Sequence, residues 1–117
     1  MLRKFDSLVF FVQDIHLVSK WYADLLDSDV QYENDQYAFI LFIGGKLGFH
    51  PDDMESSGDT ASQTVYWEVD SLSASIEKLK SKGAKLTRGP LKTTLNEHAC
   101  IICDPFGNRL GLISKNT

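Results

Sequence analysis

The chain has 117 residues, enough for one domain with a real but modest core. A formal net charge of −4 leaves no basic stripe to neutralise phosphates, which argues against a nucleic-acid partner. The longest apolar run, Tyr37 to Ile43, is far too short to cross a bilayer, so no membrane partner is expected. Met1 to Phe5 runs into strand-like sequence without a signal-peptide core, and the expected location is cytoplasmic.

Phe5 to Val12 is β-branched and aromatic and reads as the first strand. Asp14 can cap a helix whose apolar stripe is Ile15, Val18, Tyr22, Leu25 and Leu26, ending near Asp27. Short strands follow at Val30 to Glu33 and Tyr37 to Ile43, separated by a turn at Asn34-Asp35. Gly44-Gly45 then turns the chain into a strand from Lys46 to His50. Residues 51–62 are polar, acidic and aperiodic, and read as a linker. Gln63 to Val69 is again strand-like. Asp70 or Ser71 caps a second helix carrying Leu72, Ile76 and Leu79, with Gly83 placed to end it. Lys85 to Arg88 and Lys92 to Leu95 read as strand pieces around a Gly89-Pro90 break. Ala99 to Cys103 and Leu110 to Ile113 form a closing hairpin, and Asp104-Pro105-Phe106-Gly107-Asn108 is its turn.

Cys100 and Cys103 have the spacing of a redox or zinc half-motif, but they fall on a strand. Positions i and i+3 there point to opposite faces, so the pair is read as inert buried thiols.

The element order is strand, helix, three strands, given twice, and the residues repeat with it. Ser7, Leu8, Phe10, Val12 and Ile15 fall on Thr64, Val65, Trp67, Val69 and Leu72. Further on, Ala38 to Leu41 falls on Ala99 to Ile102, and Lys46 to Phe49 on Arg109 to Leu112. The expected fold class is α+β: one domain over residues 1–117 made of two tandem βαβββ modules, 1–50 and 63–117, joined by the linker 51–62.

Two segments carry a family resemblance. Val9-Phe10-Phe11-Val12-Gln13-Asp14-Ile15 followed by Trp21-Tyr22-Ala23-Asp24-Leu25-Leu26 resembles a first strand and helix end, and Asp104 to Leu110 a "DPxGN" turn, of the vicinal oxygen chelate superfamily. That superfamily includes glyoxalase I, extradiol dioxygenases, and fosfomycin- and bleomycin-resistance proteins. The resemblance implies curved mixed sheets around a cavity, often within a homodimer. In the metal enzymes it implies a His or Glu at positions that here are Ser7, Gly48, Thr64 and Gly111. Two glycines and two neutral hydroxyls make a poor ligand set, so no metal or other cofactor is expected.

Strand parity assigns Leu8, Phe10, Val12, Leu47, Phe49, Val65, Trp67, Val69, Leu110 and Leu112 to the helix side. The opposite face holds Ser7, Val9, Phe11, Gly48, His50, Thr64, Tyr66, Glu68, Gly111 and Ile113, and these ten form the expected ligand-binding set. No catalytic residue is assigned. Gly48 and Gly111 would leave room for a flat group, and Glu68 with Tyr66 would attract a cation or a hydrogen-bonding group. His16 and His98 read as solvated or structural. The expected function is binding of a small aromatic or cationic molecule in a metal-free cavity, with drug sequestration, as in bleomycin resistance, as one use. Sequestration needs affinity and no chemistry: at about −0.3 kcal/mol per heavy atom, a ligand of about 30 atoms reaches about −9 kcal/mol. The alternative is a metal-dependent lyase, transferase or dioxygenase with atypical ligands such as His50, His98 and Glu97 or Glu68. A third reading is a regulatory module with the fold and no pocket.

Overall fold

A computed structural model describes residues 1–52 and 64–117, and the chain divides into two compact units, Met1–Gly58 and Asp59–Thr117. The first runs β1 (Leu8–Val12), α1 (Ile15–Leu26), β2 (Val30–Asn34), β3 (Tyr37–Phe42) and β4 (Gly45–Pro51). The second repeats the order with β5 (Tyr66–Glu68), α2 (Leu72–Ser81), β6 (Lys85–Lys92), β7 (His98–Cys103) and β8 (Arg109–Ser114). Each unit is therefore a βαβββ module, and the chain is α+β. The sheets are equivalent: β1-β4-β3-β2 in one and β5-β8-β7-β6 in the other. In each, the first strand lies parallel to the last and the remaining neighbours are antiparallel.

The helices start where the capping residues dictate. The Asp14 carboxylate accepts from Leu17 N–H at 3.0 Å, and Ser71 Oγ, rather than Asp70, accepts from Ala74 N–H at 3.3 Å. Asp27 closes α1 in the left-handed region at φ 50°. Beyond α2, Gly83 takes φ 96° and Ala84 N–H bonds back to Leu79 O, as the glycine stop predicts. Ser71 also donates to Thr117 O, and the buried Ser114 hydroxyl donates to Asp70 O, tying the start of α2 to the strand end beside it.

Each sheet buries one face against its own helix. In module 1, Ala38, Ile40, Leu47 and Phe49 are almost wholly buried, and Tyr22 of α1 packs 5.3 Å from Phe10 and 5.8 Å from Phe49, centroid to centroid. In module 2, Leu72, Ile76 and Leu79 of α2 are buried together with Cys100, Ile102, Leu110 and Leu112. Burying each such side chain contributes about 1.5–3 kcal/mol, which is why parity assigned these positions well. Val65 departs from that set: it precedes β5 and is 39% exposed, and its carbonyl accepts from Gly111 N–H.

Several limits differ from the sequence reading. The first strand begins at Leu8 rather than Phe5, because Leu2 and Phe5 find no neighbours to bury them and stay exposed. Pro51 belongs to β4, not to the linker; β3 has already ended beside it, so its missing N–H costs no ladder bond, and Asp52 N–H resumes pairing at Val12 O. The remainder of the linker, and Gln63, lie outside the described residues. The Gly89-Pro90 break is a bulge instead: β6 runs through it, with register shifts on either side of Arg88, and Leu95 falls in the following turn. The repeat also slips by one residue in its middle. Ala38 pairs Phe49 while Cys100 pairs Leu112, so Ala38 matches Cys100, not Ala99.

Cys100 and Cys103 are free and stand on opposite faces of β7. Burial pushes both thiols up, and the neighbouring Asp104 pushes Cys103 further, which keeps both protonated at neutral pH.

The closing turn is held by a buried carboxylate. Asp104 Oδ1 accepts from Phe106 N–H at 2.9 Å and Asn108 N–H at 2.7 Å, while Oδ2 accepts from Asn108 Nδ2 at 2.9 Å. Gly107 supplies the positive φ of 94° that the turn requires. Asp104→Ala removes these acceptor contacts and leaves part-buried N–H groups unsatisfied. The expected loss is about 2–4 kcal/mol in urea unfolding, with Asp104→Asn intermediate because it keeps one acceptor oxygen.

Candidate functional site

The face of each sheet away from its helix carries the ten residues that parity singled out. In module 1, Val9 pairs Gly48 and Phe11 pairs His50 across the parallel ladder, and Ser7 precedes the first pair. Phe11 and His50 are in ring contact at 5.4 Å. His50 Nδ1 lies 3.1 Å from Pro51 O, an acceptor, so Nδ1 donates. Tyr37 and Phe39 stack at 5.9 Å on the same face, and the Lys46 ammonium sits 5.0 Å above the Phe39 ring. The face is thus aromatic, edged by one cation.

In module 2, Tyr66 pairs Gly111 and Glu68 pairs Ile113. Thr64 precedes them, and its Oγ1 accepts from Arg109 Nη1 at 3.2 Å. A cleft of about 270 Å³ opens on this face, lined by Tyr66, Arg88, Leu91, Thr93, Ala99, Cys100, Ile101 and Ile113. Tyr66 and Ile113 are the two expected residues that line it. Glu68 shares the face but is exposed and outside the lining. Arg88, Leu91 and Thr93 were missed because the chain reads as broken at Gly89-Pro90, which destroys parity along β6. Alternation along β7 was the available signal: Ala99 and Ile101 stand on the face of Gly111 and Ile113, and β6 must follow β7.

The glycines are not vacant seats. A Cβ built on Gly48 would come 2.5 Å from Tyr37 Oη, and one on Gly111 would come 2.5 Å from Tyr66 Cδ1 and 2.7 Å from its Cγ. At each position the room expected for a ligand's flat group is filled by a tyrosine ring of the same module. The two rings arrive differently. Tyr66 stands beside Gly111 on the first strand of its module, whereas Val9 occupies that place in module 1 and Tyr37 reaches Gly48 from β3.

The donor set at the four implied metal positions does not fit a divalent ion. Gly48 and Gly111 offer no side-chain donor and lie under aromatic rings. Thr64 is a neutral hydroxyl already bonded to a guanidinium, whose charge opposes a second cation. Among the described residues, no three His, Cys, Asp or Glu side chains are grouped to hold a metal. The atypical set fares no better within module 2. His98 pairs Ser114 and lines a second cleft on the helix side, opposite the face of Glu68. His16 is exposed on α1, with Nδ1 3.2 Å from Tyr32 Oη.

A βαβββ duplication with these two site faces defines a class of protein, and sequence comparison agrees. The model of the glyoxalase/bleomycin resistance protein/dioxygenase superfamily matches residues 4–112, and the chain belongs to that superfamily. No curated protein sequence matches it significantly. Several solved structures share the fold. A glyoxalase/bleomycin resistance protein/dioxygenase family enzyme from Burkholderia phytofirmans superposes with TM-score 0.74 at 15% identity, covering 93% of this chain and 96% of its own. A fosfomycin resistance protein from Listeria monocytogenes, solved with Mn(II) and sulfate, gives 0.79 at 13% identity, covering 100% and 93%. A protein from Agrobacterium tumefaciens solved in solution gives 0.80 at 17% identity, covering 97% and 98%. At these identities the likeness is one of fold alone.

The contact between Gly111 and Tyr66 is testable as an energy. Gly111→Ala drives the Tyr66 ring from its seat and is expected to cost about 1–3 kcal/mol in urea unfolding. In a Tyr66→Ala background the same substitution should cost much less, a coupling a double-mutant cycle reads directly.

Proposed function

We propose that the protein binds a small, flat, largely apolar molecule by packing and hydrogen bonding, with no metal, on the sheet faces opposite the helices. The observation that carries this reading is the module 2 cleft. It is apolar apart from Arg88, Thr93 and the Tyr66 hydroxyl, the composition of a small-molecule pocket, and it lies on the face where Gly111 has lost the ligand a metal would need. Of the two ligand types expected from sequence, the aromatic one is supported by Tyr66 and by the aromatic face of module 1. The cationic one rested on Glu68, which stands outside the cleft. Sequestration of such a molecule, as in antibiotic resistance, requires nothing beyond this.

The competing reading is a metal-dependent lyase, transferase or dioxygenase with atypical ligands, of interest because the fosfomycin resistance neighbour was solved with Mn(II). Elemental analysis of the purified protein separates the two. The proposal expects less than a tenth of a divalent metal per chain, and quenching of Trp21 and Trp67 by aromatic ligands that EDTA leaves unchanged. One zinc, nickel, manganese or iron per chain, removed together with an activity by chelation, overturns it. Absence of binding across a panel of aromatic acids, amides and amines would favour a regulatory module instead.

A homodimer belongs to the same proposal. Phe11, Leu41 and Tyr66 on the open sheet faces are 41%, 52% and 50% exposed, an apolar surface that a second copy would cover. Sedimentation at micromolar concentration is expected to show a dimer; a monomer there removes this part of the proposal.

A further inference from the structure

Resting on the reading of this cleft as a small-molecule site, we propose that its ligand is a small aromatic monocarboxylate, held by Arg88. The lining contains one ionised side chain, Arg88, and no Asp or Glu. Among the described residues the Arg88 guanidinium has no carboxylate partner. It stands on β6 opposite Ile101, at the wall of an otherwise apolar cleft. Next to low-dielectric walls a charge is less screened than on open surface, so a guanidinium in that lining favours an anion and opposes a cation.

The polar groups nearby are set for an acceptor. Thr93 Oγ1 already accepts from Glu97 N–H at 3.1 Å, which leaves its O–H to donate. Tyr66 brings a second hydroxyl, and the guanidinium offers a planar fork of N–H donors that matches a carboxylate in two-point contact. The cleft thus combines a guanidinium and two hydroxyls in its lining with no acceptor side chain of full charge, which selects a ligand group that accepts. One cation alone matches a monoanion better than a phosphate dianion.

The rest of the cleft sets the body of the ligand. Leu91, Ala99, Ile101 and Ile113 form an apolar floor and the Tyr66 ring stands against Gly111, so a planar ring can pack beside it. About 270 Å³ is at the lower limit of ligand pockets and suits one or two fused rings.

Calorimetric titration of the whole protein with 2-naphthoate, 2-naphthamide and 2-naphthylmethylamine holds the ring constant and varies the charge. The carboxylate is expected to bind about tenfold or more tightly than the amide, with the amine weakest, and to lose most of that advantage between low and high salt. Arg88→Gln should abolish the preference for the carboxylate over the amide, and Arg88→Lys should keep part of it. Arg88 is exposed at a sheet edge, and circular dichroism checks that both variants fold; if only the Lys variant does, an unchanged preference in it counts against two-point binding and overturns the proposal. Equal affinities for the three probes, tightest binding of the amine, or a preference that survives Arg88→Gln overturns this inference and leaves aromatic binding standing. Failure of all three to bind removes the small-molecule reading of the cleft, and the inference with it.

Discussion

The hydrogen-bonded Asp104 carboxylate is the constraint on which module 2 depends. It gathers two backbone N–H groups and the Asn108 amide within one turn, and so starts the β7–β8 ladder at Cys103 opposite Arg109. Every later pair follows from that start. A slip of one residue would exchange Gly111 and Ile113 for Leu110 and Leu112, moving two leucines out of the core and closing the face that carries the cleft. Module 1 reaches the equivalent register without such a cage. There Gly45, at φ 147°, lets β3 turn back on β4 with Phe42 opposite Gly45.

Both registers deliver a glycine to the middle of the last strand, under a tyrosine ring. A glycine within a strand loses side-chain packing, and a ring laid across it restores buried contact. The duplication is therefore strict in backbone and free in side chains, since the ring comes from β5 in one module and β3 in the other. At Gly48 and Gly111 the space beside the last strand is filled by aromatic packing, and Thr64 holds an arginine. What remains on the open face of module 2 is shape, apolar surface and a guanidinium.

Much of the fold was legible because it rests on local chemistry. Asp14 and Ser71 cap helices through their own side chains, Gly83 ends one by its free φ, and alternation marks Leu47, Phe49, Leu110 and Leu112 as core. The candidate site was legible only in part. Parity placed Val9, Phe11, Gly48, His50, Tyr66, Glu68, Gly111 and Ile113 together on the face away from the helix, since that face is set by pairing within each module. It could not find Arg88 or Thr93. A bulge re-aims side chains by geometry that depends on the partner strand, and β6 carries two register shifts against β7.

By itself the sequence determined the two βαβββ modules, their helix limits, the Asp104 turn and the absence of ligand side chains at two glycines, because each is a property of a few adjacent residues. Only the tertiary structure decided what fills the space above those glycines and which charge faces the cleft. Tyr37 and Gly48, or Arg88 and Ile101, are distant along the chain and meet through register, and register is fixed by the whole sheet.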